Sequence, residues 1–152
     1  MAGQPLTLAS FRREPRERPI IRIAYCSRAV RPDLALLGLA QIMSVSDRNN
    51  RRDGLTGALA VSRGRFFQVL EGEAPAVDDV MRRIRADARH SDLKDVMRCE
   101  VQGRLFGAWS LVAALVAPSL EPGLDRAIGL CESQPEAAVQ ALLALVERQQ
   151  RG

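Results

Sequence analysis

The stretch that decides the fold is LTGALAVSRGRFFQVLEG, residues 55–72, because it holds two strand patterns joined by a tight turn. Leu55–Val61 and Arg65–Leu70 are rich in the aliphatic and aromatic side chains that are typical of strands. Between them, Arg63 and Gly64 suit a two-residue hairpin turn, in which Gly supplies the positive φ. We therefore predict a β-hairpin near the middle of the chain.

Alternating and helical patterns on both sides of the hairpin supply the other elements. The hairpin is expected to end at Gly72, and Pro75 then opens a helix whose apolar residues recur at helical spacing. Upstream, a strand alternates from Ile20, and the first helix ends near Asp47, before the loop residues 49–54. The predicted elements outside the hairpin are strands Ile20–Cys26, Val96–Gln102 and Trp109–Val116, and helices Pro32–Asp47, Pro75–Ile84, Pro122–Cys131 and Pro135–Arg148.

This order, β-α-β-β-α-β-β followed by helices, predicts an α+β fold. Right-handed crossovers place both long helices on one face of a mixed sheet, which is a ferredoxin-like βαββαβ arrangement with an added fifth strand. The first and third strands are then neighbours in mid-sheet. The C-terminal helices are expected to cover the other face, and a partner subunit is the alternative cover. Their apolar stripe consists of Val139, Leu142, Leu143 and Val146.

Composition indicates one folded domain with short extensions. The chain has 152 residues, of which 47% are hydrophobic and only 4% aromatic, so we expect a mostly aliphatic core. No apolar run reaches the roughly 18 residues of a membrane span, and the pattern of a secretion signal is missing, which predicts a soluble, cytoplasmic protein. We expect a flexible basic leader at 1–19, a domain at 20–118 and a helical extension at 119–152.

Charge and reactive side chains exclude much ordinary enzymology. The net charge is +4, and every basic residue except Lys94 is Arg. These arginines are scattered among acids, as on a solvated surface, so nucleic acid is not the expected partner. His90 is the only histidine, and the three cysteines are far apart, which argues against a Ser-His-Asp triad and a metal site. We expect reduced thiols, no metal and no enzymatic activity.

Polar residues occur at positions where the pattern predicts a buried face or a rim. Gln68 shares a strand face with Phe66 and Leu70, and a buried amide without partners costs about 1–3 kcal/mol. Each of these residues has an ordinary structural interpretation when it is taken alone. Gln68 can bond to the backbone, Tyr25 can pack in the core with its hydroxyl bonded, and Asn50 can end a helix. In the predicted topology, however, all of them point into one cleft. A phenol and two amides there suit a planar heterocycle and do not suit hydrolysis, because no nucleophile is paired with a base.

Several motifs between residues 20 and 116 follow one another in a recognisable order. They are Ile23-Ala24-Tyr25-Cys26-Ser27-Arg28-Ala29, Arg48-Asn49-Asn50 with Gly54-Leu55-Thr56-Gly57, Phe66-Phe67-Gln68-Val69-Leu70-Glu71-Gly72, Asp87-Ala88-Arg89-His90, and Arg104-Leu105-Phe106 with Trp109-Ser110. With these motifs the chain resembles the BLUF family, blue-light sensors that use FAD. The F-F-Q-V-L-E-G segment, with its upstream Tyr and Asn-Asn, is far more specific than a lone glycine motif.

The resemblance implies that FAD is bound with its isoalloxazine ring between the two long helices. Asn50 and Gln68 would hydrogen-bond the polar edge of the ring, and Tyr25 would lie behind Gln68. The hydroxyl of Ser46 would touch this network. Arg89 would pair with phosphate, although a surface cluster at the end of the second helix is the alternative. The implied cofactor-binding residues are Tyr25, Ser46, Asn49, Asn50, Gln68, Asp87, Arg89 and His90.

The implied chemistry is photochemical and consumes no substrate. Tyr25 would give the excited flavin an electron and then a proton, and Gln68 would rotate or tautomerise before the charges recombine. The changed hydrogen bond to a ring carbonyl would stabilise the excited state more than the ground state and move absorption to the red. The protein positions the flavin and tunes its electronic properties, since the cofactor itself carries the photochemistry.

One departure from the family pattern concerns the output. BLUF domains usually carry Met two residues after the tryptophan, and this chain has Leu111 there. Trp109 and Leu111, at i and i+2 of the predicted fifth strand, are expected to share a face near Gln68 and to pass the signal on. We expect the signal to reach an unknown downstream protein or the chain's own oligomer.

Alternatives of other classes fit parts of the sequence. A BLUF-like adaptor that does not respond to light would share the fold without the spectral change. A basic ferredoxin-like module would bind nucleic acid with steep salt dependence, although the aromatic strand motif of RNA-recognition modules is missing. A small acyl-phosphate hydrolase of the same topology would use Arg and Asn.

Overall fold

The computed structural model describes residues 18–32, 46, 48–109, 111–114 and 121–151. The elements in chain order are β1 (Ile20–Ala29), β2 (Thr56–Ser62), β3 (Arg65–Glu73), α1 (Ala74–Arg85), β4 (His90–Val101), β5 (Val112–Ala114), α2 (Glu121–Leu130) and α3 (Pro135–Arg151). Residues 48–53 are also helical. Most of the predicted first helix, Pro32–Asp47, lies outside the described residues.

The strands form one mixed sheet in the order β4-β1-β3-β2-β5. Neighbouring strands are antiparallel except β2 and β5, which run parallel. β1 and β3 are therefore central neighbours, and the predicted ferredoxin-like α+β arrangement with a fifth strand is confirmed. The pairing places Tyr25 opposite Gln68, and Gln68 in turn opposite Leu59 of β2.

The predicted hairpin is formed by β2 and β3. Its turn residues Arg63 and Gly64 both have positive φ, 50° and 71°, as a two-residue hairpin turn of this kind requires. The second strand continues past its predicted end at Gly72 to Glu73, because both residues pair with β1. Gly72 allows a close approach here, since a Cβ at this position would lie 2.5 Å from Leu55 Cδ2.

The first helix ends later than the sequence predicts. Asn49 and Asn50, interpreted as loop residues, are helical, and the helical structure continues to Asp53. Gly54 follows with a φ of 70°, the left-handed conformation that ends many helices. Asn50 is therefore held on a helix, and its backbone oxygen accepts a hydrogen bond from the Leu55 amide at 2.8 Å.

Two strands differ in length from their predictions. β4 begins at His90, well before the predicted start at Val96. Its first half pairs with β1 across register shifts, which disrupt the alternation on which a sequence prediction depends. β5 is only Val112–Ala114, so Trp109 precedes the strand instead of opening it. Hydrogen bonds to the carboxylate of Glu71 hold the irregular backbone between β4 and β5.

Helices cover both faces of the sheet. α1 packs on one face through Val77 and Met81. α2 and α3 cover the other face and enclose the larger core, as predicted. Within the predicted stripe on α3, Leu143 is only partly buried and Leu145 is buried instead, because Leu145 follows Leu142 at the i+3 spacing of one helix face.

Candidate functional site

A cleft beside α1 and the central strands is the best candidate for a binding site. Its cavity has a volume of about 100 Å³ and opens to solvent. Apolar side chains alternate with polar groups along its walls. The lining residues are Tyr25, Ser46, Asn50, Leu59, Phe66, Gln68, Leu70, Val80, Ile84, Asp87, Arg89 and His90.

Inside the cleft, Tyr25 and Gln68 form a hydrogen-bonded pair. They are cross-strand partners on β1 and β3, and the two residues are only 5% and 7% exposed. The Tyr25 hydroxyl donates to Gln68 Oε1. Burial raises the pKa of Tyr25 above its ordinary value, and the negative charge of Asp87 raises it further. The phenol therefore stays protonated, and its proton is directed at the amide.

Gln68 and Asn50 place two amides along the same cleft. Gln68 Oε1 accepts a hydrogen bond from the phenol, so the two N–H groups of the amide are left to donate to a ligand. Asn50 is 2% exposed and lines the cleft from the helical segment 48–53. An amide both donates and accepts, so this pair suits a ligand edge that carries carbonyl oxygens and ring nitrogens.

His90, the first residue of β4, lines the cleft with its ring held at both nitrogens. Its Nε2 lies 2.6 Å from the carbonyl oxygen of Ile84, which only accepts, so Nε2 carries a proton. In the neutral ring, Nδ1 then accepts from the Ser27 hydroxyl at 2.9 Å. The ring stands edge-on to Tyr25 and Phe66, with centroid distances of 6.2 and 6.4 Å. His90 therefore supports the wall behind the phenol.

Asp87 and Arg89 form a closely bonded pair in the cleft wall. Arg89 donates from Nε and Nη2 to the two Asp87 oxygens at 2.5–3.0 Å, and its backbone N–H donates to Oδ1 at 2.9 Å. The hydrogen bonds from Arg89 lower the pKa of Asp87, and those to Asp87 raise the pKa of Arg89. The guanidinium that the resemblance assigns to a phosphate is thus bound to Asp87 through Nε and Nη2.

The first helix presents only some of its predicted ligands to the cleft. Ser46 and Asn50 both line it, because residues four apart share a helix face. Asn49 is partly buried and does not line the cleft. Neighbouring helical residues point about 100° apart, which accounts for the difference between Asn49 and Asn50.

The predicted output residues lie on opposite faces of the sheet, which corrects the expectation that they share one. Trp109 is partly buried against the core beneath α2 and α3. Leu111 is buried with Leu59 and Phe66, which line the cleft. The rule that i and i+2 share a face holds within a strand, whereas both residues precede β5 in irregular backbone.

Sequence reasoning missed part of the cleft wall and one buried charge. It assigns Val80 and Ile84 to the helix core, whereas both line the cleft, and their i, i+4 spacing on one helix face is the available signal. Glu71 is completely buried and bonded to Arg22. The available signal in the sequence is that Glu71 falls on the other strand face from Gln68, because an acid at a buried strand position needs a partner.

Comparison with known proteins assigns the cleft to a family. The family model for BLUF, sensors of blue-light using FAD, matches residues 20–112, which is more than half of the chain. The chain belongs to the BLUF family. The matched range contains every residue that lines the cleft, together with Trp109 and Leu111.

Relatives of this BLUF chain include much longer light-regulated proteins. The photoactivated adenylate cyclase subunit beta of Euglena gracilis is 38% identical over 93 residues, which make up 60% of this chain and 11% of that protein. The chain thus spans about a tenth of the length of the curated relatives it matches. Among solved structures, the BLUF protein BlrB in its dark state is 30% identical, with a TM-score of 0.70 over 86% of this chain and 98% of BlrB. A bacterial light-regulated adenylyl cyclase is 25% identical, with a TM-score of 0.64 over 84% of this chain and 39% of that one.

As a BLUF protein, the chain is a blue-light sensor whose cofactor is FAD. The lining of the cleft suits an isoalloxazine ring in its chemistry, because apolar side chains flank a phenol and two amides that suit the ring's polar edge. Within the ranges that the structure describes, no group of His, Cys, Asp and Glu is arranged to hold a metal ion. In the same part of the chain, no helix combines the length and apolar character needed to cross a membrane.

Proposed function

We propose that Tyr25 and Gln68 form the light-driven switch of this BLUF protein, with Asn50 and Gln68 bonding the polar edge of the flavin. The observation that carries the proposal is the hydrogen bond from the Tyr25 hydroxyl to Gln68 Oε1 inside the cleft. FAD, when bound, supplies the absorption of blue light and an excited state that accepts an electron. The remaining steps belong to the chain's own side chains.

Tyr25 is the electron and proton donor in this proposal. Because burial raises its pKa, the phenol is neutral before illumination and holds its proton at Oη. Loss of an electron makes the phenol strongly acidic, so the proton leaves along the existing hydrogen bond toward Gln68. Return of the electron and the proton to Tyr25 completes the cycle and makes the change reversible.

Gln68 carries the change that outlasts the electron transfer. Its amide has an acceptor at one end and a double donor at the other, so a half-turn or a tautomerisation exchanges the group presented to Tyr25 with the group presented to the ligand. The residue is only 7% exposed, so the phenol and the ligand have to satisfy either arrangement in place of water. Two satisfied arrangements of one buried amide form a bistable element.

We also propose that the chain acts on a partner protein or on a second copy of itself, and not on a substrate. Among the described residues, Ser27 has a hydroxyl bonded to His90, and Ser62, which lies outside the cleft, has a hydroxyl bonded to Asp125. Ser27 is 4% exposed and does not line the cleft, so no ligand there reaches its oxygen. In this proposal residues 20–118 form the sensor domain, and the extension 119–152 carries its output.

An absorption spectrum of the purified, FAD-loaded protein before and after blue light tests the switch. We expect a small red shift of the flavin bands that reverses in the dark. FAD-loaded protein whose spectrum does not move would overturn the switch and favour a light-independent adaptor. The fold itself would stand in either case.

A further inference from the structure

Glu71, near the end of β3, is a buried carboxylate that the photochemical steps do not use. It is completely buried, and an unpaired charge in that position is costly. Its donors are Arg22 Nε at 2.9 Å, the Leu105 amide at 3.0 Å and the Phe106 amide at 2.7 Å. The two amides belong to the backbone of residues 102–109, here named the 102–109 loop, which follows β4.

Arg104 fastens the same loop from the other direction. Its Nη1 donates to Thr56 Oγ1 at 2.9 Å and to the backbone oxygen of Glu71 at 3.0 Å. Its Nη2 donates to the backbone oxygen of Gly54 at 2.8 Å. The loop is therefore bonded to both strands of the hairpin and to Gly54, two positions before β2 begins.

The fastened loop leads directly to the output residues. The Trp109 amide donates to the Phe106 carbonyl at 3.1 Å, and the Trp109 carbonyl accepts from the Gly57 amide at 3.1 Å. Phe106 is fully buried in the core beneath α2 and α3. The place of Trp109 on the sheet is therefore set by backbone bonds that continue from the carboxylate contacts.

Glu71 and Gln68 lie three residues apart on β3, and their side chains are on opposite faces. The strand between them pairs with β1 and with β2 at every position. A displacement of β3 that follows a rearrangement at Gln68 therefore moves the carboxylate as well. The Leu105 and Phe106 amides follow, because hydrogen bonds to a buried charge are among the stronger ones.

We propose that Glu71 is a positioning residue for the output of the switch. Its carboxylate couples β3 to the 102–109 loop and so transmits the change at Gln68 to the C-terminal helices. Arg22, with only 14% of its side chain exposed, pairs with the carboxylate and orients it. The inference rests on the proposed function of Tyr25 and Gln68.

Glu71→Gln tests the inference, because glutamine keeps the shape of the side chain and removes its charge. Glu73→Gln is the matched control, since Glu73 lies two positions along the same strand in a solvent-exposed ion pair with Arg18. Hydrogen exchange is measured in the dark and under blue light on FAD-loaded protein, together with the red shift of the same samples. We expect dark exchange at Leu105 and Phe106 to rise about tenfold or more in Glu71→Gln only, as bonds to a charge are lost.

The decisive readout is the difference between light and dark exchange in α2 and α3. We expect the red shift to be unchanged in both variants, and the light–dark difference to disappear in Glu71→Gln. A merely structural role would raise exchange equally in light and dark and would preserve the difference. The inference is overturned if the difference survives in Glu71→Gln, or if a wild type with a normal red shift shows none. A wild type without a red shift overturns the proposed function instead.

Arg104→Met provides a second variant in case Glu71→Gln does not fold. It removes the Arg104 hydrogen bonds to Thr56, Glu71 and Gly54, while the buried pair of Glu71 and Arg22 remains. The Glu71 carboxylate still bonds the Leu105 and Phe106 amides in this variant, so we expect an unchanged red shift and a retained light–dark difference in α2 and α3. Loss of the difference in Arg104→Met would assign the coupling to Arg104 and overturn the inference.

Discussion

Trp109 and Leu111, separated by one residue, pack on opposite faces of the sheet. Trp109 lies against the core beneath α2 and α3, whereas Leu111 lies against Leu59 and Phe66 on the cleft side. A displacement of this short segment therefore alters the packing beside the cleft and the packing under the C-terminal helices together.

Leu111→Met tests whether the cleft-side residue of this pair influences the photocycle. The two side chains have similar volumes, so we expect a cost below about 1.5 kcal/mol and unchanged flavin binding. Met adds a flexible thioether that accepts weak hydrogen bonds beside the cleft. We expect altered dark recovery and altered light-induced exchange in α2 and α3. Leu124→Met, on α2 with its side chain in the core, is the control, and identical recovery in all three proteins would contradict the prediction.

Tyr25→Phe is expected to bind flavin and to show no red shift. The aromatic ring still packs in the cleft, but the phenolic proton and its bond to Gln68 are lost. Absorption spectroscopy measures both effects, since the flavin band before illumination reports binding and its movement reports switching. A normal photocycle in this variant would remove Tyr25 from the mechanism.

Gln68→Leu is also expected to bind flavin and to fail to switch. Leu roughly fills the volume but offers the Tyr25 hydroxyl no acceptor, so the free energy of unfolding should fall by about 1–3 kcal/mol. Combining it with Tyr25→Phe replaces both partners of the bond and should recover part of that loss. Urea unfolding of the single and double variants measures the difference. A double variant as unstable as the sum of the two single variants would show that the bond contributes nothing.

The raised pKa of Tyr25 predicts a change of stability in alkali. Folded Tyr25 keeps its proton at pH values where the unfolded chain, with the ordinary pKa of 10.0, loses it. The folded state then binds more protons, so the free energy of unfolding falls as the pH rises through about 10. Denaturant titrations at about pH 8 and about pH 10.5 should show a smaller fall in Tyr25→Phe than in the wild type. Burial beside Cys131 raises the pKa of Cys26 to about 12, but that thiol is present in both proteins and contributes equally to both. An equal fall in the free energy of unfolding in the two proteins would contradict the prediction.

Leu142→Ala tests how α3 docks on the sheet. Leu142 is fully buried in the core, so its truncation should lower the free energy of unfolding by about 2–5 kcal/mol. Leu143→Ala is the matched control, because the next residue along the helix is only partly buried. Thermal or urea unfolding of the three proteins measures both losses. A loss at Leu143 as large as that at Leu142 would place the docking face elsewhere.

The parts of the fold that depend on local chemistry could be predicted from the sequence. The Arg63-Gly64 turn and the strands on either side of it follow from residue preferences within a few positions. That β1 and β3, which carry Tyr25 and Gln68, are neighbours follows from the handedness of the crossovers, which needs only the order of the elements. The early start of β4 was missed, because its register shifts against β1 leave no alternating pattern.

The parts of the site that depend on distant contacts were missed. Trp109 departs from the predicted strand because the carboxylate of Glu71, far away in sequence, captures the backbone of the 102–109 loop. The pairing of Arg89 with Asp87 is local, but the sequence does not decide between that carboxylate and a phosphate as the partner.

β5 joins the sheet at its edge through pairs at three positions, parallel to β2. A short edge strand can detach at a small cost in free energy while the antiparallel strands remain paired, so opening there is a local event distinct from global unfolding. The residues that line the cleft all lie on other elements. Substitutions in β5 can therefore strengthen or weaken the response to light without changing the absorption spectrum. Spectral sensitivity and strength of response can thus vary independently.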